Sequence, residues 1–591
     1  MGVLSKGLLT VFLCAVICAG AEEAAAEHEN LSLLEVWKQR TENAASDAAE
    51  KIYNEAPQLT EKDILEMNGG DADFLYSEDG YLTFLRGKFY EMPVTDTETG
   101  IESLQGIAGL LGLSKGSEFF AVYGERDAKG YTYLTYRQRY GELTLENAVL
   151  KIILDPQGYT AGVVSSFTPN VGIAEQDEPS VTKEEAEQIV REEFPQYRLT
   201  LYTQYTRQTS VTIQGVAYHA WAVFSRAPAS AGYPEGRGYL EHLAGYEGSY
   251  LTYLPVSSPE ELVPGDNAQT ENALAFFDGL AQDSYTAVVK LQDGTAERLT
   301  VPVARDAAGM HYLADTERHI LLADYYSYAF EGKLVPWSSL DNTGWPEHYL
   351  LAYDRYCRVY DFYKSHGMES VDGFGCPILI LTDYCDSLKK PENNAVYLGF
   401  SAGWAVFSAS AVNDYGECVD VAAHEFTHGI TDYTAGGNLY QNASGAVNEG
   451  LSDVCGNLCE MLLKATEDTK WLLAEKSGAP VRSMSEPGIY GQPVKIGGMY
   501  YYPDSEAPVI ENDYGGVHIN SSLISHTAYR LCEEGMEPEE VFLLWQGVQK
   551  MLTPRSGYQE VHMALKFAAK IQKLDLLWQE KIDEICGEAG Y

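Results

Sequence analysis

The chain has 591 residues, too many for one domain, and its 45% hydrophobic and 12% aromatic content supplies enough core material to exclude wholesale disorder. Lysine and arginine number 41 against 86 acidic residues, a formal net charge of −45 spread along the chain without one long acidic tail. That balance disfavours nucleic acid and anionic membrane as partners, suits a soluble exported protein, and leaves most carboxylates to a solvated surface.

The N-terminus reads as an address. Lys6 supplies a positive start, Leu8 to Cys18 an apolar stretch too short to span a bilayer, and Ala19-Gly20-Ala21 a cleavage site, so 1–21 are expected to be a signal peptide. Leu13 and Ile17 precede Cys14 and Cys18, which argues against a lipid anchor. No later run reaches about 18 apolar residues, so a secreted, extracellular protein is expected. Residues 22–60 are rich in Ala and Glu and read as an exposed, partly helical lead-in.

From about 80 to 170 the pattern is strand-like. Residues Tyr131 to Tyr140 alternate, and Asn147 to Leu154 run apolar into the turn Asp155-Pro156-Gln157-Gly158. Thr182 and Glu185 form a capping box that opens a helix with Ala186, Ile189 and Val190 on one face, stopped near Pro195. Strands are expected over Leu199 to Tyr205 and Ala217 to Phe224, and a loop or linker over the Gly-, Ser- and Pro-rich stretch 225–270. Residues 285–340 read as strands and loops, 348–365 carry apolar residues at helical spacing, and 376–412 are again strand-like. Helices are expected over 417–434, ended by Gly436-Gly437, and over 447–464, 520–534, 538–552, 557–572 and 574–587. Two of the ten cysteines lie in the signal and eight between Cys357 and Cys586. These eight could pair as disulfides or serve as small buried hydrophobes, and the sequence does not choose.

The chemistry concentrates in Ala423-His424-Glu425-Phe426-Thr427-His428 and Asn448-Glu449-Gly450-Leu451-Ser452-Asp453. Histidines four apart share one helical face and can reach one metal ion, while Glu425 can exchange a proton with water there. Glu449, 21 residues beyond His428, could return on a second helix as an anionic ligand. Asp453, one turn later on the same face, could accept the spare N–H of a ligating histidine. Three ligands with one open position is the pattern of a catalytic zinc. Further on, Gly515-Gly516 precedes His518 and lets the backbone turn tightly, with Asp513 placed to orient the ring.

These segments, together with Tyr433 to Gly436, Tyr440 to Glu449, Arg482-Ser483-Met484-Ser485 and Gly515 to Asn520, resemble the thermolysin-like metallopeptidases over roughly 285–591. The resemblance implies an α+β, two-lobed peptidase with a β-rich N-lobe (281–435, including the central metal helix) and a helical C-lobe (436–591). Ahead of it, 22–280 is similar to an α+β propeptide, FTP-like over 80–170 and PepSY-like over 178–225. Carried over, His424, His428 and Glu449 become the ligands of one zinc ion and Glu425 the general base. Asp453 becomes the partner of His424, and Tyr440 and His518 the oxyanion donors, with Asp513 behind His518. Asn394 and Ala395 match the edge segment that binds substrate backbone, Arg482 the arginine that grips the substrate carbonyl, and Val421, Leu473 and Val481 the pocket for a hydrophobic residue after the scissile bond.

Three departures stand out. The loop through Gly437-Asn438-Leu439 is one residue longer before Tyr440, and Tyr397 replaces the usual tryptophan. Asp420, Glu460 and Glu475 match calcium-binding positions, but Lys470 and Leu472 stand where the family has carboxylates, so a double-calcium site is expected to be lost. The implied protein is a secreted zinc endopeptidase acting on proteins or peptides. Its own propeptide serves as chaperone and inhibitor until self-cleavage removes it. The rivals are an exopeptidase, for which no terminus-capturing feature stands out, and an inactive homologue, which the retained Glu425, His518 and ligands argue against.

Overall fold

The computed structural model describes residues 50–51 and 57–591, apart from 114–116, 141–142, 168–171, 174–179, 195–198, 202, 204–205, 214–215, 227–238, 246–247, 249, 257–272, 386–393, 402, 410–414, 437–439, 464–470, 506–507 and 509–511. The expected signal, Asn393, the loop before Tyr440 and Lys470 lie outside the described residues.

Near the N-terminus an antiparallel seven-stranded sheet runs Glu50–Lys51, Glu118–Arg126, Thr132–Tyr140, Leu143–Leu154, Thr160–Ser165, Leu82–Arg86 and Asp73–Tyr76 in spatial order. Residues 80–170 are not all strand: Thr97–Leu104 and Ala108–Leu111 are helical, the first opened by an Asp96 and Thr99 capping box. Strand periodicity divides the sheet's side chains. Leu134, Leu150, Ile152 and Val163 face these helices in one core, whereas Tyr133, Ile153 and Val164 join the core of the C-terminal half.

The capping box at Thr182 opens the helix Lys183–Glu193 as expected. Its Ala186 and Val190 pack with Val223 and Ala244 of a second antiparallel sheet. The linker expectation for 225–270 is wrong in part, because Tyr239–Gly245 and Tyr250–Val256 are strands of that sheet. Their alternation was masked by the surrounding glycines, serines and prolines. Of Leu199 to Tyr205, Thr200–Leu201 is strand among the described residues.

The C-terminal half has two lobes. A hairpin, Ala281–Lys290 with Ala296–Arg305, leads to a mixed sheet in which Ile320–Asp324, Ile378–Thr382 and Trp404–Ala409 run parallel. Val396–Ser401 lies antiparallel on its edge, and the helix Glu347–Ser365 connects the first two parallel strands. Among the described residues the helices Asn442–Leu463, Asp513–Asn520, Ser522–Glu533, Pro538–Met551, Tyr558–Ile571 and Leu576–Ala589 follow. Between the lobes runs Val419–Ala435, ended by Gly436 in the left-handed conformation at φ 78°. Of the eight cysteines after the signal six are buried, and Cys357, Cys376, Cys455, Cys459, Cys532 and Cys586 form no disulfide among the described residues.

The N-terminal sheet is seated on the helical lobe. Lys151 Nζ donates to the Lys550 carbonyl at 2.8 Å, and Lys550 Nζ pairs with Glu125 Oε2 at 2.8 Å, all buried. Thr83 Oγ1 donates to Glu560 at 3.1 Å and Arg137 Nη2 to the Gly436 carbonyl at 2.9 Å.

Candidate metal centre and active site

His424 and His428 lie one turn apart on Val419–Ala435, and Glu449 comes from the neighbouring helix Asn442–Leu463. The two helices meet closely because Gly456 offers no side chain: a Cβ there would stand 2.5 Å from the Asp420 carbonyl oxygen. The imidazole Nε2 atoms are 3.0 Å apart, and Glu449 carboxylate oxygens lie 3.5 Å from His424 Nε2 and 3.3 Å from His428 Nε2. The three residues are essentially buried.

The far sides of the rings are also held. His424 Nδ1 lies 3.1 Å from Asp453 Oδ1, while His428 Nδ1 meets Asn448 Oδ1 at 2.9 Å and Ser452 Oγ at 3.1 Å. The pairing of His428 with Asn448 and Ser452 escaped the sequence reading, although both flank Glu449 at helical spacing. Arg482 bridges two acids, with Nη1 3.1 Å from Glu449 Oε2 and Nη2 3.1 Å from Asp453 Oδ1.

Glu425 is 1% exposed. Its Oε2 accepts the Tyr397 amide at 2.7 Å, and its Oε1 has no partner among the described residues. Burial pushes its carboxyl up to about 7. The edge strand therefore aims a backbone donor at Glu425, while the Tyr397 hydroxyl donates to Asp432 at 3.1 Å and fixes that strand to the metal helix.

On the other side, Tyr440 donates to Glu449 Oε1 and its hydroxyl lies 3.1 Å from His518 Nε2. Asp513 accepts from His518 twice, at the ring Nδ1 and at the backbone N–H, the latter at 2.8 Å. Burial opposes a proton on His518, but Glu449 and Asp513 outweigh it and raise its pKa. The turn demands glycine: Gly515 and Gly516 have φ of 84° and 81°, and Cβ atoms there would collide with Asn442 and Tyr502. Asn394 is fully buried with its side-chain amide unpartnered among the described residues. Ala395, Val421 and Val481 form one apolar cluster with Cys418, Ala474 and Tyr415. Leu473 lies on the strand paired with Arg482 and accepts from the Val481 amide at 3.0 Å.

The sequence model of the thermolysin metallopeptidase catalytic domain matches residues 292–432, and that of the thermolysin metallopeptidase alpha-helical domain matches 437–575. Residues 292–575 belong to the thermolysin family. Thermolysin from Bacillus sp. (strain EA1) is 31% identical over 286 residues, 44% of this chain and 49% of that protein. Bacillolysin from Bacillus caldolyticus matches to the same extent, and the extracellular elastase of Staphylococcus epidermidis is 31% identical over 241 residues, 39% of this chain and 43% of that protein. The chain thus spans about half the length of the curated relatives it matches. The precursor of protealysin from Serratia proteamaculans aligns structurally over 46% of this chain and 87% of its own, with 24% identity and a TM-score of 0.38.

The thermolysin family is zinc-dependent, and the donor set fits zinc. Two imidazole nitrogens and a carboxylate are the ligands of a catalytic zinc, a set for which thermolysin is the standing example. Bonds of about 2.0–2.1 Å in a tetrahedron imply ligand separations of roughly 3.3 Å, against the 3.0, 3.3 and 3.5 Å found.

Asp420, Glu460 and Glu475 also come together, their oxygens within 4.8 Å of one another. Asp420 accepts the Ala474 and Val421 amides, while Glu460 Oε2 and both Glu475 oxygens are buried without partners among the described residues. Burial pushes Asp420 up to about 7 and Glu460 up to about 10. Three converging carboxylates, two of them with unpartnered oxygens, suit a hard divalent cation.

Proposed function

We propose that this chain is a secreted zinc endopeptidase, made as a precursor whose residues 22–280 are a propeptide removed by self-cleavage. The observation that carries the reading is the convergence of His424, His428 and Glu449 on one point, beside a buried Glu425 with one carboxylate oxygen free. His424, His428 and Glu449 hold the zinc, with Asp453, Asn448 and Ser452 fixing ring orientation from behind. Bound zinc supplies a Lewis acid that polarises the scissile carbonyl and acidifies water.

Glu425 Oε1 takes the proton of the attacking water and later delivers it to the leaving amine; a carboxyl near neutrality can do both. The Tyr397 amide keeps Oε2 in place, so Oε1 is the oxygen that turns over. Tyr440 and the protonated His518 donate to the oxyanion as it develops, and Asp513 stabilises the charge on His518. Asn394 and Ala395 hold the substrate backbone along the sheet edge, where the Asn394 amide finds the partners it lacks within the protein. Arg482 positions Glu449 and Asp453 and offers its remaining donors to the substrate carbonyl. Val421, Leu473 and Val481 favour a hydrophobic residue after the cut.

The test compares secreted wild type with Glu425→Ala by N-terminal sequencing, mass analysis and zinc content. The expected result is a mature fragment of about 300 residues from wild type and an unprocessed, zinc-loaded variant. Peptide hydrolysis by zinc-loaded Glu425→Ala at the wild-type rate would defeat the proposal.

A further inference from the structure

The mixed sheet of the N-lobe has two apolar faces, as parallel strands require. Strand periodicity turns Leu322, Ile380 and Phe407 into the core shared with the metal helix, and Leu321, Leu379 and Val406 to the opposite side. Part of that opposite face is covered by the short helical turn Ala273–Phe277. Phe276 and Phe277 lie 6.4 and 5.8 Å from Trp404 between ring centroids, Phe276 also 6.0 Å from Tyr312, and Phe277 5.1 Å from His319. Phe277 is 7% and Ala273 2% exposed. Ala273 sits against a glycine: a Cβ at Gly403 would stand 3.5 Å from the Ala273 Cβ. Every other member of this apolar cluster lies between Leu280 and Val406, and among the described residues the second antiparallel sheet contributes none. By its packing the turn belongs to the peptidase, although the family resemblance leaves it in the propeptide.

The chain just beyond the turn is equally committed. The Leu280 amide donates to the Phe277 carbonyl at 3.3 Å, and from Ala281 to Lys290 each residue pairs with the strand Ala296–Arg305. A bond to be cut must instead enter the cleft as an extended strand along the Asn394–Ala395 edge. Drawing out 273–280 for that purpose would strip two aromatic rings from Trp404, and large side chains leaving a core are among the costliest losses a fold sustains. The same cluster contains Val396, the neighbour of Tyr397, whose amide holds Glu425 Oε2. The turn thus backs the edge strand on which the site depends.

We infer that Ala273–Phe277 stays in the mature enzyme as the plug of its sheet, so that the maturation cut falls on the N-terminal side of Ala273 and the removed segment ends before the 280 implied by the resemblance. The inference rests on the endopeptidase reading, with its removable propeptide.

The experiment lets secreted wild type mature and fixes the first residue of the mature chain by N-terminal sequencing and intact mass. Expected is a chain that contains both Phe276 and Phe277. Loss of either phenylalanine with the propeptide overturns the inference while leaving the endopeptidase standing. On the matured protein, at one fixed scan rate, Phe277→Ala should lower the apparent Tm by about 5 °C or more. Phe277→Leu, the milder change should the first variant not fold, should lower it less, and Asp278→Ala, at an exposed position, should leave it unchanged. A mature chain that keeps both rings yet melts unaltered in both Phe277 variants carries only an idle tail, and this overturns the inference equally. A zinc-loaded wild type that stays unprocessed and cuts no protein substrate removes the endopeptidase reading and this inference together.

Discussion

Glu125→Gln is expected to loosen the N-terminal sheet from the helical lobe. Glu125 and Lys550 are 9% and 7% exposed at their side chains and meet at 2.8 Å across the seam. Removing one partner of a buried pair leaves the other charged and unpaired, which costs about 3–5 kcal/mol. At about 1.4 kcal/mol per decade, the dissociation constant should rise by at least roughly a hundredfold. Lys151 beside them sets the pH dependence. Burial lowers its pKa to about 7 in the docked state, with Glu125 opposing, against about 10.5 for an exposed lysine. The facing charged groups are Glu125 on Glu118–Arg126 and Lys550 on Pro538–Met551, while the flanking strands present Thr135 and Val164. Docking therefore releases a proton between about pH 7 and 10.5, so it tightens as pH rises through that window, by up to about tenfold per unit, and is weakest and flat below it. A protease site inserted within 257–272 of the full chain gives two fragments on demand, and their dissociation constant can be read by surface plasmon resonance. Lys151→Met should tighten docking and remove the slope above pH 7. Fragments of Glu125→Gln that hold together as firmly as wild type would refute the reasoning.

Three further outcomes are expected. His518→Ala, which removes an oxyanion donor, should lower kcat by about a hundredfold or more with zinc content unchanged, measured by peptide kinetics beside metal analysis. Gly456→Ala forces a Cβ to within 2.5 Å of the Asp420 carbonyl; separating the two ligand-bearing helices should lower stability by about 1–3 kcal/mol and weaken zinc retention under chelator challenge. Calcium at millimolar concentration should raise the Tm of the zinc-loaded protein through Asp420, Glu460 and Glu475, and Glu460→Gln should shrink that rise; a scan insensitive to calcium in both proteins would remove the ion from that cluster.

The parts of the site legible in the sequence are those set by one helix. His424, His428, Glu449 and Asp453 fall at intervals of three to five residues or on two consecutive helices, and helical geometry fixes which of them share a face. What reaches the site from a distance, such as Asn394, Arg482 and His518, was legible only through the family resemblance, and contacts outside its motifs were not. Tyr397 offers its amide to Glu425 only because the edge strand pairs antiparallel with Trp404–Ala409. The docking seam was hidden for the same reason. Tyr133, Thr135 and Arg137 alternate as a half-polar face that any exposed sheet could show, and Lys151 and Glu125 resemble ordinary surface charge until Lys550, some 400 residues on, covers them.

The burial of most of the cysteines after residue 350 bears on how the fold meets oxidants. Thiol–disulfide exchange requires a thiolate and access to it, and burial raises the pKa of Cys357, Cys418, Cys455, Cys459 and Cys586 alike. In the folded chain these five thiols are slow to exchange, whereas the half-buried Cys376 and Cys532 are the more accessible ones. For the buried five, the exposure to oxidants falls in the interval before the core closes, when mispairing competes with collapse. Rapid burial of the segment from Cys357 to Cys586 is thus a chemical safeguard as well as a source of stability.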